Sequence, residues 1–233
     1  MSTRKTVQTK STAAGRGLPA LVDLLIVVAV LIGVKQSLLP FSVVFAGPAS
    51  TVSAMLAATF LLYRRGLRWS DLGFRWPTDW RAVGLWSIGI FIALLATVAA
   101  SGAVAGLWFE NVGASGRFDF VEGNLAGYLL IMAVVWTHGS FFEELLFRAF
   151  IITKLAGAVD RFRGADILAA VIAAAFFGYR HFYYQGMHGA IVTGCIGLVF
   201  GLIYLRLRKT TILPLILVHG LTNSIAQTGR FLG

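Results

Sequence analysis

Glu143 and Glu144 stand side by side in FFEELLFRAF, residues 141–150, and Arg148 follows four residues after the second. A charged side chain inside an apolar span costs about 2.5–3.5 kcal/mol on insertion scales, so such residues face a bundle interior, find partners and mark function. Residues four apart on a helix share a face. Glu144 and Arg148 therefore meet and compensate each other. Glu143 is turned about 100° away on an α-helix, with Phe147 at its plus-four position. A carboxylate with no cationic neighbour on its own face suits a general base, and the Glu144–Arg148 pair suits a brace. The alternative is that all three form a clamp that fixes packing and topology.

Two histidines extend the set. His181 lies in AFFGYRHF (175–182), with Phe177 four residues before it. His219 lies in LVHGLTNS (217–224), with Asn223 one turn later. Glu143, His181, His219 and Asn223 together supply a base, two imidazoles and an amide donor, the groups that water activation and oxyanion stabilisation require. His138, five residues from Glu143, is expected on a different face, and His188 in a short loop; neither is given a catalytic role. A zinc-binding HExxH helix is absent, and no pair of membrane aspartates is present for aspartyl chemistry. Ser115 in GASG (113–116) has a glycine-flanked spacing but lies in a polar loop, outside the context a serine nucleophile needs.

These residues need a scaffold, and the bulk numbers say which. The chain of 233 residues is 58% hydrophobic and 13% charged, with mean hydropathy +0.80; soluble domains carry roughly 25% charged residues. An integral membrane protein, all-α, follows. Apolar stretches of about 20 residues recur at roughly 18–38, 42–63, 82–107, 124–147, 165–181, 189–205 and 211–229, a bundle of about seven transmembrane helices. The fourth is expected to continue unbroken towards Asp160. At 1.5 Å per residue from the ends nearest Asp160, Ala165 and Thr210, Glu143, His181, His219 and Asn223 then lie about 25, 24, 14 and 20 Å deep, close enough to share a layer once the helices tilt. A break near Phe150 would separate Glu143 from His181.

Lysine and arginine alternate strictly between the connecting segments, sixteen on one side and four on the other. Cytoplasmic loops carry that excess, so the N-terminus is expected in the cytoplasm and the C-terminus outside. The same alternation accounts for the net charge of +10 without a nucleic-acid partner. Residues 1–17 read as a basic cytoplasmic tail, 18–123 as a three-span region opening on an uncleaved span, and 124–233 as the catalytic core. Trp69, Trp76 and Trp80 suit the headgroup level, Gly194, Gly197 and Gly201 suit close helix packing, and the lone Cys195 suits an apolar contact.

EELLFR (143–148), FGYRH (177–181) and HGLTN (219–223) resemble, in order and on successive spans, the three motifs of the CAAX protease and bacteriocin-processing (Abi) family, which includes the Ras-converting CAAX endopeptidase. The resemblance covers about residues 124–229. It implies an intramembrane endopeptidase in which Glu143 and His181 activate water, His219 and Asn223 stabilise the oxyanion, Glu144 and Arg148 hold the site, and Phe177 packs near it. It leaves open whether a divalent metal such as zinc takes part; Glu143, His181 and His219 are the ligands on offer. The implied partners are a membrane-associated peptide or protein substrate and the bilayer. The implied location is a prokaryotic cytoplasmic membrane. A proton-coupled transporter and a non-catalytic immunity or scaffold protein are the other functions such polar groups could serve.

Overall fold

The computed structural model describes residues 16–113 and 116–233, which are helical with no strand among them. Residues 1–15, with most of the basic tail, and Ser115 lie outside the described residues. Six long helices follow in order among the described residues: α1 (Leu18–Leu38), α2 (Ala46–Arg64), α3 (Trp80–Ala105), α4 (Leu125–Ala158), α5 (Ala165–Leu207) and α6 (Leu213–Leu232). α1 to α5 are each long and apolar enough to cross a membrane. Their starts are written locally. Asp79 accepts a hydrogen bond from the Ala82 amide at 3.1 Å, and Asn124 one from the Gly127 amide at 3.1 Å, the N-cap contact that satisfies otherwise orphaned amides. Pro19 and Pro214 occupy first-turn positions in α1 and α6, where proline loses nothing.

α5 departs from expectation. Segments 165–181 and 189–205 were expected as separate helices with His188 in the loop between them; instead helix runs on to a single turn at Gly186, whose φ of 61° and ψ of −167° are non-helical. The chain doubles back there. A Cβ on Gly178 would meet the Ala190 carbonyl oxygen and stand 3.0 Å from the Gly194 Cα, and one on Gly197 would stand 3.3 Å from the Ala174 Cα. Gly201 meets Ala170 in the same way. The glycines of this tract thus let two arms approach backbone to backbone, as small residues do between membrane helices.

The helices run between two ends. One end gathers buried Asp23 with Arg65 at 3.0 Å and Lys154 at 2.7 Å, Asp166 with Arg208 at 2.6 Å, and the Thr211 hydroxyl donating to the Arg75 carbonyl at 2.7 Å. Asp23, in the second turn of α1, is fully buried and ties α1 to the end of α2 and to α4. Gly73, at φ 104°, lies so close to Arg208 that a Cβ would stand 2.9 Å from the latter's Cα, and only glycine enters that backbone region freely. The other end is tied by Arg117 donating to the Val44 carbonyl at 2.9 Å, the Gly123 amide to Phe231 at 3.1 Å, and a Tyr128–Thr228 hydroxyl contact at 3.0 Å. Between the ends, α3 turns Leu85, Ile88, Ile92 and Leu95 outward, each more than half exposed, an apolar surface that suits lipid.

Candidate active site

α4 is helical without a break from Leu125 to Ala158, but not as one kind of helix. Thr137–Phe142 and Glu144–Ile152 are wound as π-helix, a form that is rare and recurs at functional sites. Its i→i+5 hydrogen bonding moves residues five apart towards one face. This corrects the expected place of His138: its Nε2 lies 3.5 Å from Glu143 Oε1 and 3.1 Å from the Thr51 hydroxyl of α2. Periodicity at 100° per residue put His138 elsewhere because it assumed an α-helix throughout. A run of short-range signals for π-winding is not evident in THGSFFEELLFRAFII, so the departure was hidden.

Glu143 and Glu144 have separate surroundings. Glu143 borders a cavity of about 770 Å³, whereas Glu144 is fully buried and does not reach it. Glu144 Oε1 is 3.1 Å from an Arg148 guanidinium nitrogen, the ion pair expected from the spacing, and it also accepts a hydrogen bond from His219 Nδ1 at 2.7 Å. That second contact was not expected. Arg148 is 2% exposed, and its guanidinium lies 4.4 Å from the Phe177 ring centre and 5.4 Å from that of Phe200. Charge on the carboxylate and the faces of two aromatic rings thus hold it where water cannot.

The two imidazoles are oriented by different groups. His181 donates from Nδ1 to the Phe177 carbonyl at 2.7 Å, which leaves Nε2 with a lone pair. His219, with Nδ1 engaged by Glu144, turns Nε2 towards Glu143 Oε2 at 4.0 Å. Asn223 donates one amide hydrogen to the Gly139 carbonyl at 3.3 Å and keeps a second. Glu143, His138, His181, His219 and Asn223 all line the one cavity, whose walls include Leu94, Val98, Ile131, Val135, Ile196 and Phe200. His188 lines it too and bonds the Gly102 carbonyl at 3.2 Å from within α5; it was passed over because a loop was expected there.

Chemically, the arrangement sets a carboxylate beside three ring nitrogens at the head of a partly apolar pocket. It can polarise a small nucleophile and hold developing negative charge. It does not make a ready metal centre: among the described residues, no three His, Cys, Asp or Glu side chains are grouped so as to hold a metal ion. The Nδ1 bonds of His181 to Phe177 and of His219 to Glu144 leave both Nε2 atoms available, as in ligating histidines, so what the trio Glu143, His181 and His219 lacks in this structure is close grouping rather than suitable donors.

Residues 125–225 match the family described as type II CAAX prenyl endopeptidase Rce1-like, in agreement with the resemblance carried by the three motifs. No curated protein and no solved structure matches the chain.

Proposed function

Starting from that protease-family match over residues 125–225, we propose that the protein is an intramembrane endopeptidase that uses Glu143 as its base. The observation that carries the reading is that Glu143, alone of the two adjacent glutamates, borders the cavity, with His138, His181, His219 and Asn223 around the same space. Seven membrane crossings with a cytoplasmic N-terminus, counted with the arms of α5 separate, complete the proposed architecture.

In this mechanism the substrate peptide enters the cavity and water stands between Glu143 and His181. His181 Nε2, an acceptor because Nδ1–H is spent on Phe177, and the Glu143 carboxylate both draw on the water's hydrogens. The water oxygen bonds to the scissile carbonyl carbon as its proton passes to Glu143. The carbonyl oxygen becomes an oxyanion. Asn223 donates its second amide hydrogen to it, and His219, when doubly protonated, donates from Nε2 while Nδ1–H remains on Glu144. Donors fixed in advance lose little to reorganisation, which is why such sites are effective. The intermediate collapses, the C–N bond breaks, and Glu143 returns its proton to the leaving amine.

Glu144 and Arg148 act through His219: the carboxylate sets the ring's tautomer and direction, as an orienting carboxylate does in hydrolytic triads. His138 acts through Glu143, linking it to Thr51 of α2. The deciding experiment is reconstitution of the purified protein in lipid with a membrane-anchored reporter peptide. Cleavage that Glu143→Gln abolishes, with helicity and melting unchanged, supports the proposal; undiminished cleavage removes it.

A further inference from the structure

The cavity has a mouth, and its position relative to the charges says which compartment it serves. Besides mid-span wall residues, the loop, turn and helix-end residues that line it come from one end of the bundle only: Val44 and Phe45 between α1 and α2, Asn111 and Arg117 between α3 and α4, Gln185 at the turn of α5, and Arg230 at the end of α6. No residue of the 64–81 segment, of the α4–α5 connection or of the α5–α6 connection borders it. Those three connections are the basic ones, with Arg64, Arg65, Arg68, Arg75 and Arg81 in the first, Arg161 and Arg163 in the second, and Arg208 and Lys209 in the third.

The charge asymmetry is sharper in three dimensions than along the chain. The cavity end has four lysines and arginines by sequence, yet Lys35 and Arg180 are 7% and 8% exposed. Lys35 Nζ donates to the Arg180 carbonyl at 2.8 Å, and Arg180 donates to the Ser50 hydroxyl at 3.1 Å. Both are consumed inside the bundle. Of the four, that leaves Arg117 and Arg230 nearer the surface, and the segment that carries Arg117 also carries Glu110, Asp119 and Glu122. Positive charge flanking the spans stays in the cytoplasm.

We propose that the cavity opens on the extracytoplasmic side, so that the site receives peptides whose scissile segment stands outside the cytoplasm: exported chains, or the outer flanks of membrane-anchored ones. The inference deepens the protease reading by naming where its substrate is presented, and it rests on that reading only for what the opening admits.

The test is labelling, which needs no activity. In a Cys195→Ser background, Glu110→Cys marks the cavity end and Lys209→Cys the basic end; both positions are exposed. Right-side-out and inverted membrane vesicles are treated with a membrane-impermeant maleimide. The expected result is labelling of position 110 in right-side-out vesicles and its loss in inverted ones, with position 209 the reverse. The opposite pattern, or labelling of both positions from one side, overturns the proposal. Fusions after Gly233 in the unsubstituted chain repeat the test without an introduced cysteine: an export-dependent phosphatase is expected active there, and a cytoplasmic fluorescent protein dark. Bright fluorescence overturns the proposal. Inverted labelling with Glu143-dependent cleavage intact would sink the orientation alone, and correct labelling without cleavage would sink the protease reading alone.

Discussion

His138 and Glu143 are five residues apart on one helix, yet His138 Nε2 lies 3.5 Å from Glu143 Oε1. Only π-winding between them brings the two to one face. His138 also reaches Thr51 at 3.1 Å, and in the proposed mechanism it is a positioning group for Glu143. His138→Ala is expected to lower kcat/KM on the reporter about 10-fold, equivalent to about 1.4 kcal/mol. His138→Gln, which offers a donor nitrogen in a similar place, is expected to recover part of the loss. Equal damage from both variants would argue against a positioning role.

Glu143→Gln keeps the shape and removes the carboxylate proposed as the base. A loss of about 10²–10⁴-fold in kcat is expected, the range for general acid–base groups, with reporter KM and thermal melting close to those of the parent. A fall in KM-based affinity with kcat intact would place Glu143 in substrate binding instead.

Glu144 and His219 act as one unit if the 2.7 Å hydrogen bond between them does what is proposed. His219→Ala is expected to cost about 10²–10³-fold in kcat, as loss of an oxyanion donor does. Adding Glu144→Gln to it should then cost little more, since residues sharing one network are not additive. Multiplied losses in the double variant would show that Glu144 works independently of His219.

Asp23 is fully buried between Arg65 and Lys154. Asp23→Ala leaves the Lys154 ammonium, itself 1% exposed, without its counter-charge. Removing one partner of a buried pair costs about 3–5 kcal/mol. A large drop in melting temperature in detergent is expected, and Lys154→Met in the same chain should restore part of it by removing the orphaned charge.

How much of this was legible in the sequence differs by residue, for physical reasons. Glu143, His181, His219 and Asn223 stood out because polar groups in apolar spans are costly, and all four do line one cavity. Glu144–Arg148 followed from helical spacing and is there at 3.1 Å. The Glu144–His219 contact joins α4 to α6 across 75 residues, and no spacing rule reaches that far. His138 is hidden from a constant helical period by the π-winding of Thr137–Phe142. His188 sits at an apolar minimum that reads as a loop, whereas one glycine at φ 61° turns the chain with helix on both sides. The partners of Asp23, Arg65 and Lys154, lie 42 and 131 residues away, beyond any spacing rule.

The turn at Gly186 also bears on how the chain enters the bilayer. The arms of α5 meet through Gly178, Gly194 and Gly197, and the tip between them carries Gln185 and His188 but no formal charge from Phe182 to Gly189. A tip with so little hydration to shed can be threaded through without a charged loop in tow. The two arms, joined by so short a turn, back His181 with a packing surface from the same helix, independently of α6.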